Sequence, residues 1–398
     1  MIIESLKKFS FAIKNILLLF ISLVTVALLS EFILRHFYPV ISYAYPQNYF
    51  ISDKELGFDI DINVPIASHN LAWEGLEYDI WSNNQGCFDN PLNKADNYYL
   101  IVGDSFSWGY SKFENKWGYL LEKKLDKRVL KCGVTGYETK GELIKTKKIL
   151  SKVDRKPEKI IVGYYVGNDV RDRYLFPYRT VYDGYLINIK NISNSNGEIK
   201  TKSDEDIAAQ YNNYRHIRSA KGLGNIEYWL LQHSTIYGMY HRLRYPMEVK
   251  SHESTPILSG AKRSVSIDES LIYRIQLKPW EEKAWETHLN DIESFARYAK
   301  MIESEVVFIL IPAKAQVYSF LQKEGIDYSR PNKFLLNFFN EKNIKSFDLL
   351  DTFVEQASKQ SIETLIDGEG YYYAVDGHWN KKGNRLAADA IYQYLKNN

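Results

Sequence analysis

The sequence predicts an α/β fold, in which helices cover both faces of a parallel sheet of about five strands. Short, continuously apolar segments alternate with segments of helical spacing, and this alternation resumes near the C-terminus. Between about residues 182 and 276 the alternation is missing, and the chain begins with one long apolar segment. We therefore expect a three-layer α/β/α domain with an N-terminal transmembrane helix and an inserted cap segment.

The N-terminal segment determines the expected compartment. After three lysines, Ile16–Ser30 carries no charge, and apolar residues continue past Glu31 to Leu34. A helix of these 19 residues would span about 29 Å, close to the hydrocarbon thickness of a bilayer. The preceding lysines favour a cytoplasmic N-terminus, so we expect a single-pass cell membrane protein with a periplasmic or extracellular domain. A cleaved signal peptide and a buried core helix are the alternatives.

The charge and the cysteine content of the chain argue against a nucleic-acid-binding protein and against a structural metal site. The chain has 51 Lys plus Arg and 49 Asp plus Glu, a net charge of +2, so no basic surface indicates a nucleic-acid partner. Cys87 and Cys132 could form one disulfide outside the cytoplasm, and our first interpretation of both is as packing residues. There is no CxxC motif and no His/Cys cluster, so we expect no structural metal.

The predicted elements follow in chain order. Residues 39–95 are rich in Asn, Asp, Pro and aromatic residues and predict loops and short strands. From residue 98 onward the predicted strands are YYLIV, RVLKC, EKIIVGYYV, EVVFILI and KSFDLL. The predicted helices are WGYLLEKKL, GELIKTKKILSKV, EEKAWETHLNDIESFARYAKMIES and NRLAADAIYQYLKN.

This pattern divides the chain into three parts. We expect a cytoplasmic stub and transmembrane anchor over residues 1–38, a lead-in segment over 39–95, and a catalytic domain over 96–398. The region 182–276, with a polar Asn/Ser/Lys-rich part and an aromatic, basic part, interrupts that domain as the predicted cap.

Ser105 is the first candidate functional residue. It follows the predicted strand YYLIV and a Gly-Asp pair, at the start of a helix. Open α/β folds bind ligands at the carboxyl ends of their strands, and a helix N-terminus favours developing negative charge. The position therefore suits a nucleophile, although Asp104 and Ser105 could instead only cap the helix. The spacing differs from the G-x-S-x-G elbow, because the next glycine, Gly109, comes four positions after the serine.

Other strand ends supply residues that a nucleophilic serine needs. Gly133 or Gly136, after the second strand, could leave a backbone N–H free, and Asn168, after the third, offers an amide donor. Asp376 and His378 lie two positions apart, so in an extended loop they would project to the same side as an orienting acid and a base.

These segments resemble the four blocks of the SGNH, or GDSL-type, hydrolases: GDSFSWG, GVTGY, VGNDV and DGHWN. NNQGCF and IPAKAQVY are similar to segments of the membrane-anchored bacterial members. The resemblance covers roughly 96–180 and 275–398 and implies a flavodoxin-like SGNH fold. It also implies that Ser105 is the nucleophile and His378 the base. The oxyanion hole would consist of the Ser105 N–H, the Gly136 N–H and the Asn168 amide.

The chain departs from the family pattern at the acid. Most members place it three residues before the histidine, where this chain has Val375. The acid is therefore expected to be Asp376, two residues before, as in proteins similar to the alginate-acetylating SGNH-like branch. This departure makes the chain more similar to the members that modify glycans than to the other members of the family.

The resulting functional prediction is an extracytoplasmic serine esterase. It would hydrolyse acyl esters, with acetyl as the expected group, on a polysaccharide or related envelope substrate, and would need no metal or organic cofactor. The 31 tyrosines suit stacking on sugars as well as ordinary packing. The alternatives are an O-acyltransferase with the same triad, a non-catalytic glycan-binding or assembly protein, and a phospholipase. The oligomeric state is not predicted.

Overall fold

A computed structural model describes residues 2–37, 45–46, 48–71, 74, 76–93, 97–210, 226, 230, 234–237, 272–274, 276–322, 324–374 and 376–398. The chain divides into two compact units. One comprises Met1–Ala44 and Asn213–Ser251, and the other comprises Tyr45–Asn212 and His252–Asn398.

The first unit contains the N-terminal helix α1, Ile2–Phe37. Its apolar section, Ile13–Leu34, is 22 residues long with a mean hydropathy of 2.6, and none of it is buried by other residues. A helix of this length and composition can cross a membrane or act as a signal sequence. The predicted N-terminal apolar helix is thus confirmed.

Within the same unit, a carboxylate in α1 binds residues from the predicted cap. Glu31 accepts hydrogen bonds from Ser234 Oγ (2.9 Å) and from the backbone N–H groups of Thr235 (2.6 Å) and Ile236 (3.1 Å). These contacts supply partners for a charge that an apolar helix could not otherwise stabilise. The greater part of the predicted cap, 211–225, 227–229, 231–233, 238–271 and 275, lies outside the described residues.

The second unit contains the sheet and its helices. Its strands are β1 Phe50–Asp53, β2 Gly57–Ile60, β3 Ala67–Leu71, β4 Leu76–Ile80, β5 Tyr98–Gly103, β6 Arg128–Lys131, β7 Lys159–Tyr165, β8 Arg179–Tyr182, β9 Tyr185–Asn188, β10 Lys190–Ile192, β11 Ile199–Thr201, β12 Glu305–Ile311 and β13 Lys345–Asp348. Its helices are α2 Ser105–Trp108, α3 Trp117–Leu125, α4 Thr139–Leu150, α5 Asp169–Leu175, α6 Pro279–Met301, α7 Lys314–Val317, α8 Arg330–Glu341, α9 Leu350–Ala357, α10 Ile362–Ile366 and α11 Lys381–Asn397. Short 3₁₀ turns lie at Phe113–Asn115 and Ser319–Leu321.

Five strands form the central sheet, in the order β13-β12-β7-β5-β6, and every neighbouring pair is parallel. These are the five strands that the apolar segments predicted. Parallel neighbours require a crossover between strands, and the intervening helices provide it. The predicted α/β fold with a five-stranded parallel sheet is therefore confirmed.

Successive side chains of each strand point to opposite faces of the sheet, so the core has one part on each face. Val102, Val162 and Leu310 pack on one face, with residues of α4, α6 and α8. Their neighbours Ile101, Ile161 and Ile309 pack on the other, with residues of α3, α9 and α11. Burial on both faces explains why these strands are continuously apolar in the sequence.

A third apolar cluster covers the carboxyl edge of the sheet. Residues of the β1–β2 and β3–β4 hairpins pack against Trp108, Val134 and Tyr137. Trp108 follows β5, and the other two follow β6. The lead-in segment thus encloses the strand ends at which the candidate residues lie.

Cys87 and Cys132 are joined in a disulfide, with their Cα atoms 4.5 Å apart. Both cysteines also belong to the buried core. Our first interpretation of both as packing residues is incomplete, because the disulfide that the sequence left open also forms and ties the lead-in segment to the residue that follows β6. Sequence separation gave no sign of this contact, because it depends on how the lead-in folds over the sheet.

Candidate active site

The candidate residues meet at the carboxyl edge of the sheet. Ser105 follows β5, Gly136 follows β6 and Asn168 follows β7, while Asp376 and His378 lie in the segment before α11. Parallel strands bring their carboxyl ends to one edge, so residues from distant parts of the chain become neighbours there.

The sequence left open whether Asp104 and Ser105 only cap helix α2 or whether Ser105 is placed as a nucleophile. Asp104 is the N-cap of α2, and its carboxylate accepts a hydrogen bond from the Phe106 N–H at 2.9 Å. Ser105 is the first helical residue, where backbone N–H groups have no partner within the helix. Its hydroxyl donates a hydrogen bond to Asp104 Oδ2 at 3.3 Å, and the residue is only 8% exposed. The helix cap is therefore Asp104, and the serine hydroxyl makes one further contact.

That contact is with His378. Its Nε2 lies 2.7 Å from Ser105 Oγ, and its Nδ1 lies 2.5 Å from Asp376 Oδ1. The same carboxylate oxygen accepts a hydrogen bond from the His378 backbone N–H at 2.8 Å. Asp376 and His378 thus face each other through a tight bend, where we expected an extended loop. Val375, the usual position of the acid in the family, lies outside the described residues.

The electrostatics of this pair favour an ionised acid and a basic imidazole. Burial raises the pKa of Asp376, but His378, through its charge and hydrogen bonds, outweighs this and holds the pKa below its ordinary value. Burial lowers the pKa of His378, but the Asp376 carboxylate raises it more, so the net shift is upward. The Asp104 carboxyl differs, because burial raises its pKa to about 7.

Two charged residues that the sequence analysis missed hold the acid–base segment. Lys314 Nζ donates to the carbonyls of Tyr373 (2.7 Å), Ala374 (2.8 Å) and Asp376 (3.4 Å). Glu74 Oε1 accepts a hydrogen bond from the Asp376 N–H at 2.6 Å. Burial lowers the pKa of Lys314 to about 8. Lys314 could have been identified as a candidate residue because it lies in the segment IPAKAQVY, which resembles a family segment. Glu74 lies in the lead-in segment, where no such motif is present.

Two aromatic rings flank the imidazole. The Tyr110 ring is centred 4.2 Å from the His378 ring, and the Phe106 ring is centred 4.8 Å from it. Tyr373 donates a hydrogen bond to the Tyr110 carbonyl at 2.7 Å, which joins the two loops. These contacts restrict the orientation of the imidazole ring.

The two glycines after β6 have different surroundings. A Cβ on Gly133 would lie 2.3 Å from the Trp108 backbone nitrogen, so this glycine permits close packing against α2. Gly136 has φ +76°, which favours glycine. Its N–H forms no hydrogen bond within the described part of the chain. Gly136 therefore stays the predicted oxyanion donor.

Asn168 is oriented by an acidic residue one helical turn later. Its Nδ2 donates to Asp172 Oδ2 at 2.9 Å, and the Tyr178 hydroxyl lies 3.2 Å from the same oxygen. One hydrogen of the Asn168 amide is thereby engaged, and its second hydrogen remains available to a ligand. Asp172 was not predicted as a site residue, although it follows the VGNDV motif by only a few residues.

Buried carboxyl groups also lie behind the site. Burial raises the pKa of Glu142 and of Asp169 well above their ordinary values, and the charge of Asp104 raises both further. Among the described residues, no group of three or more His, Cys, Asp or Glu side chains is arranged to hold a metal ion.

Comparison with known proteins gives structural neighbours only. No family model matches the chain, and no curated protein matches it. One similar solved structure is a member of the lipolytic protein G-D-S-L family from Veillonella parvula DSM 2008. It has 12% identity and a TM-score of 0.36, and the alignment covers 75% of this chain and 98% of that one.

Two further structures are acetylxylan esterases. One, AlAXEase, has 10% identity and a TM-score of 0.37, with 75% of this chain and 99% of that chain covered. The other, a catalytic mutant from Geobacillus stearothermophilus, has 8% identity and a TM-score of 0.37, with 76% and 95% covered. The chemistry proposed below rests on this chain's own side-chain geometry.

The hydrogen bonds of Lys314 lead to a first prediction. Replacing Lys314 by Met should accelerate hydrogen exchange of the Tyr373 and His378 amides about tenfold or more, because three carbonyls of their segment lose a donor. Lys314→Arg should retain most of the protection. Lys333→Met, at an exposed position of α8, serves as the control. Unchanged exchange in Lys314→Met would show that other contacts hold the segment.

Proposed function

We propose that this protein is a serine esterase of the SGNH type that removes acyl groups, acetyl above all, from an extracytoplasmic polysaccharide. One observation carries the proposal: Ser105 Oγ, His378 Nε2, His378 Nδ1 and Asp376 Oδ1 form a continuous chain with contacts of 2.7 and 2.5 Å. A hydroxyl, an imidazole and a carboxylate in this order constitute a nucleophile, its base and an orienting acid.

In the first half-reaction, His378 Nε2 removes the Ser105 proton while Oγ attacks the ester carbonyl carbon. The Asp376 carboxylate accepts the hydrogen bond from Nδ1–H, selects this tautomer and stabilises the imidazolium. The imidazolium then protonates the departing sugar oxygen, and the acyl group stays on Ser105.

The developing oxyanion needs preorganised donors. In this proposal they are the N–H groups of Ser105 and Gly136 and the free hydrogen of the Asn168 amide. Asp172 contributes indirectly, since it holds the other hydrogen of that amide.

In the second half-reaction, His378 removes a proton from water, and the resulting nucleophile attacks the acyl-serine carbonyl. Collapse of the tetrahedral intermediate breaks the bond to Oγ, returns the proton to Ser105 and releases the carboxylic acid.

The location and the substrate class are part of the proposal. The apolar stretch Ile13–Leu34, which no other residues bury, supports a membrane anchor, and the lysines near its start support a cytoplasmic N-terminus. The Cys87–Cys132 disulfide supports an oxidising compartment for the catalytic unit. Tyr110, which contacts the His378 ring, and Tyr373, which belongs to the acid–base segment, are rings suited to a sugar substrate.

The proposal is tested with full-length protein in detergent and p-nitrophenyl acetate. Ser105→Ala should lower kcat by about 10⁴-fold or more, because no other nucleophile replaces the hydroxyl. Ser107→Ala is a matched control, since it removes a buried hydroxyl from the same helix. A fluorophosphonate probe should label the wild type but not Ser105→Ala. Equal activity of Ser105→Ala and wild type would refute the proposal, and an inactive, unlabelled wild type would favour the non-catalytic alternative.

The proposed oxyanion hole gives a separate prediction. Asn168→Ala should lower kcat by about 10²- to 10³-fold with little change in KM, because the lost donor acts on the transition state. Circular dichroism should show an intact fold. Asn290→Ala, on the exposed side of α6, is the control. A loss confined to KM would assign Asn168 to substrate binding instead.

The pKa shift of His378 predicts a pH dependence. Only the neutral imidazole acts as a base, so kcat/KM should fall as pH decreases through the pKa of His378. Because the net shift is upward, this limb should lie above the ordinary imidazole value of about 6.5. Asp376→Asn removes the group that raises the pKa, so its limb should move to lower pH, with kcat reduced about 10⁴-fold.

The control for this measurement is Asp351→Asn, an exposed carboxylate on α9. Its profile should match the wild type. An acidic limb that stays in place in Asp376→Asn would mean that Asp376 does not set the pKa of the base.

A further inference from the structure

One carboxylate lies near the end of the apolar section of α1. Glu31 interrupts the section Ile13–Leu34 three residues before its last residue. At a rise of about 1.5 Å per residue, this places its Cα about 5 Å from the end of the section along the helix axis. Phe32 and Ile33, on the other side of the helix, are 78% and 55% exposed. A carboxylate among apolar residues at this depth needs hydrogen-bond partners.

Three donors of the predicted cap converge on this carboxylate. Ser234 Oγ and the Ile236 N–H donate to its Oε2, and the Thr235 N–H donates to its Oε1. The donors belong to a helical turn in which Ser234 Oγ accepts a hydrogen bond from the Tyr237 N–H at 3.1 Å. Thr235 is only 4% exposed. The turn and α1 belong to the same compact unit, and their contact encloses the carboxylate.

This contact fixes the depth of the turn in a membrane. If α1 spans a bilayer, the last residues of its apolar section lie at the boundary between acyl chains and headgroups. Groups that hydrogen-bond to Glu31 must lie at the same boundary. The lysines precede the helix, so this boundary is the extracytoplasmic one.

The side chains around the turn suit such a boundary. Ile226 and Ile236 are apolar but 57% and 36% exposed. From residue 226 to residue 240 the sequence has four Tyr or Trp residues and only one charged residue, Glu227. Tyrosine and tryptophan are enriched where a membrane meets water, and exposed apolar side chains gain free energy there by entering the acyl region.

We propose that the cap makes a second contact with the membrane: the turn at residues 234–237 docks on the retained anchor through Glu31, and Ile226 and Ile236 insert into the outer lipid surface. The partner of this surface is the lipid bilayer that α1 crosses. The inference rests on the proposed function only in its location, because it requires α1 to be a membrane anchor.

Two other arrangements predict different results. If α1 were removed as a signal sequence, Glu31 would be lost and three donors of the cap would have no acceptor. If a second copy of the chain covered Ile226 and Ile236, both side chains would be shielded from lipid as well as from water. The decisive quantity is thus the depth of these two side chains in a bilayer.

The experiment measures this depth with nitroxide labels on the full-length protein in phosphatidylcholine–phosphatidylglycerol liposomes. Both native cysteines form the disulfide, so a single introduced cysteine can carry the label. Labels at Ile226→Cys and Ile236→Cys should lie about 5–10 Å into the boundary between headgroups and acyl chains, accessible to oxygen and protected from a water-soluble nickel chelate. Ile366→Cys, on α10 and as exposed as Ile236, should be fully accessible to the chelate. Leu23→Cys, in the middle of α1, reports on the anchor itself.

The four labels separate the possible failures. A deep label at Leu23→Cys with chelate-accessible labels at Ile226→Cys and Ile236→Cys would overturn the inference and leave the anchor in place. Labels at the last two positions that neither oxygen nor the chelate reaches would overturn it in favour of a second copy. A Leu23→Cys label outside the bilayer, or its loss with the cleaved N-terminus, would overturn the proposed location and the inference together.

Hydrogen exchange tests the role of Glu31 in the same liposomes. Glu31→Leu should accelerate exchange of the Thr235 and Ile236 amides about tenfold or more, because both lose a charged acceptor. Glu31→Gln, which keeps one carbonyl acceptor, should lie between this variant and the wild type. Thr25→Val, which removes a hydroxyl that donates to the Ile21 carbonyl within α1, should match the wild type.

Equal exchange in Glu31→Leu and the wild type would show that the turn does not dock through this carboxylate, which overturns the inference. Neither measurement uses ester hydrolysis. The result therefore does not depend on the proposed chemistry at Ser105, which the p-nitrophenyl acetate assay tests separately.

Discussion

One hydrogen bond, between His378 Nε2 and Ser105 Oγ, joins side chains 273 positions apart in the sequence. It depends on the parallel sheet, which brings the carboxyl ends of its strands to one edge. Strand β5 ends next to Ser105, and β12 ends just before Lys314, whose ammonium group holds the segment that carries His378. The register of β5, β7 and β12 therefore sets the distance between the hydroxyl and the imidazole.

The segment with Asp376 and His378 has little regular structure, so its backbone groups need partners from elsewhere. Lys314 and Glu74 supply some of them. Asn380 supplies others: its Nδ2 donates to the carbonyls of Gly370 and Tyr372, and its Oδ1 caps the N-terminus of α11. These contacts orient the imidazole, as the proposed role of His378 as a general base requires.

Most of the fold could be predicted, because continuous apolar strands and amphipathic helices reflect burial on both faces of a sheet. Helices α5, α7 and α10 were missed because they have only 7, 4 and 5 residues, too few to show a helical period. The amphipathic helices α8 and α9 were also missed, although their apolar residues have helical spacing. In the site, the positions of Ser105, Asn168 and His378 after strands or before the last helix indicated a shared edge. The bend that brings Asp376 to His378 could not be predicted, because it depends on contacts with Lys314 and Glu74.

By itself, the sequence determined the apolar N-terminal helix, the five strands and the set of polar residues that follow them, because local composition and periodicity encode burial. Only the tertiary structure decided which of these residues touch. It paired Cys87 with Cys132, and it separated Gly133, which packs against α2, from Gly136, whose positive φ favours glycine. Such contacts join residues far apart in the chain, and their distances follow from strand register and loop packing, which no local pattern records.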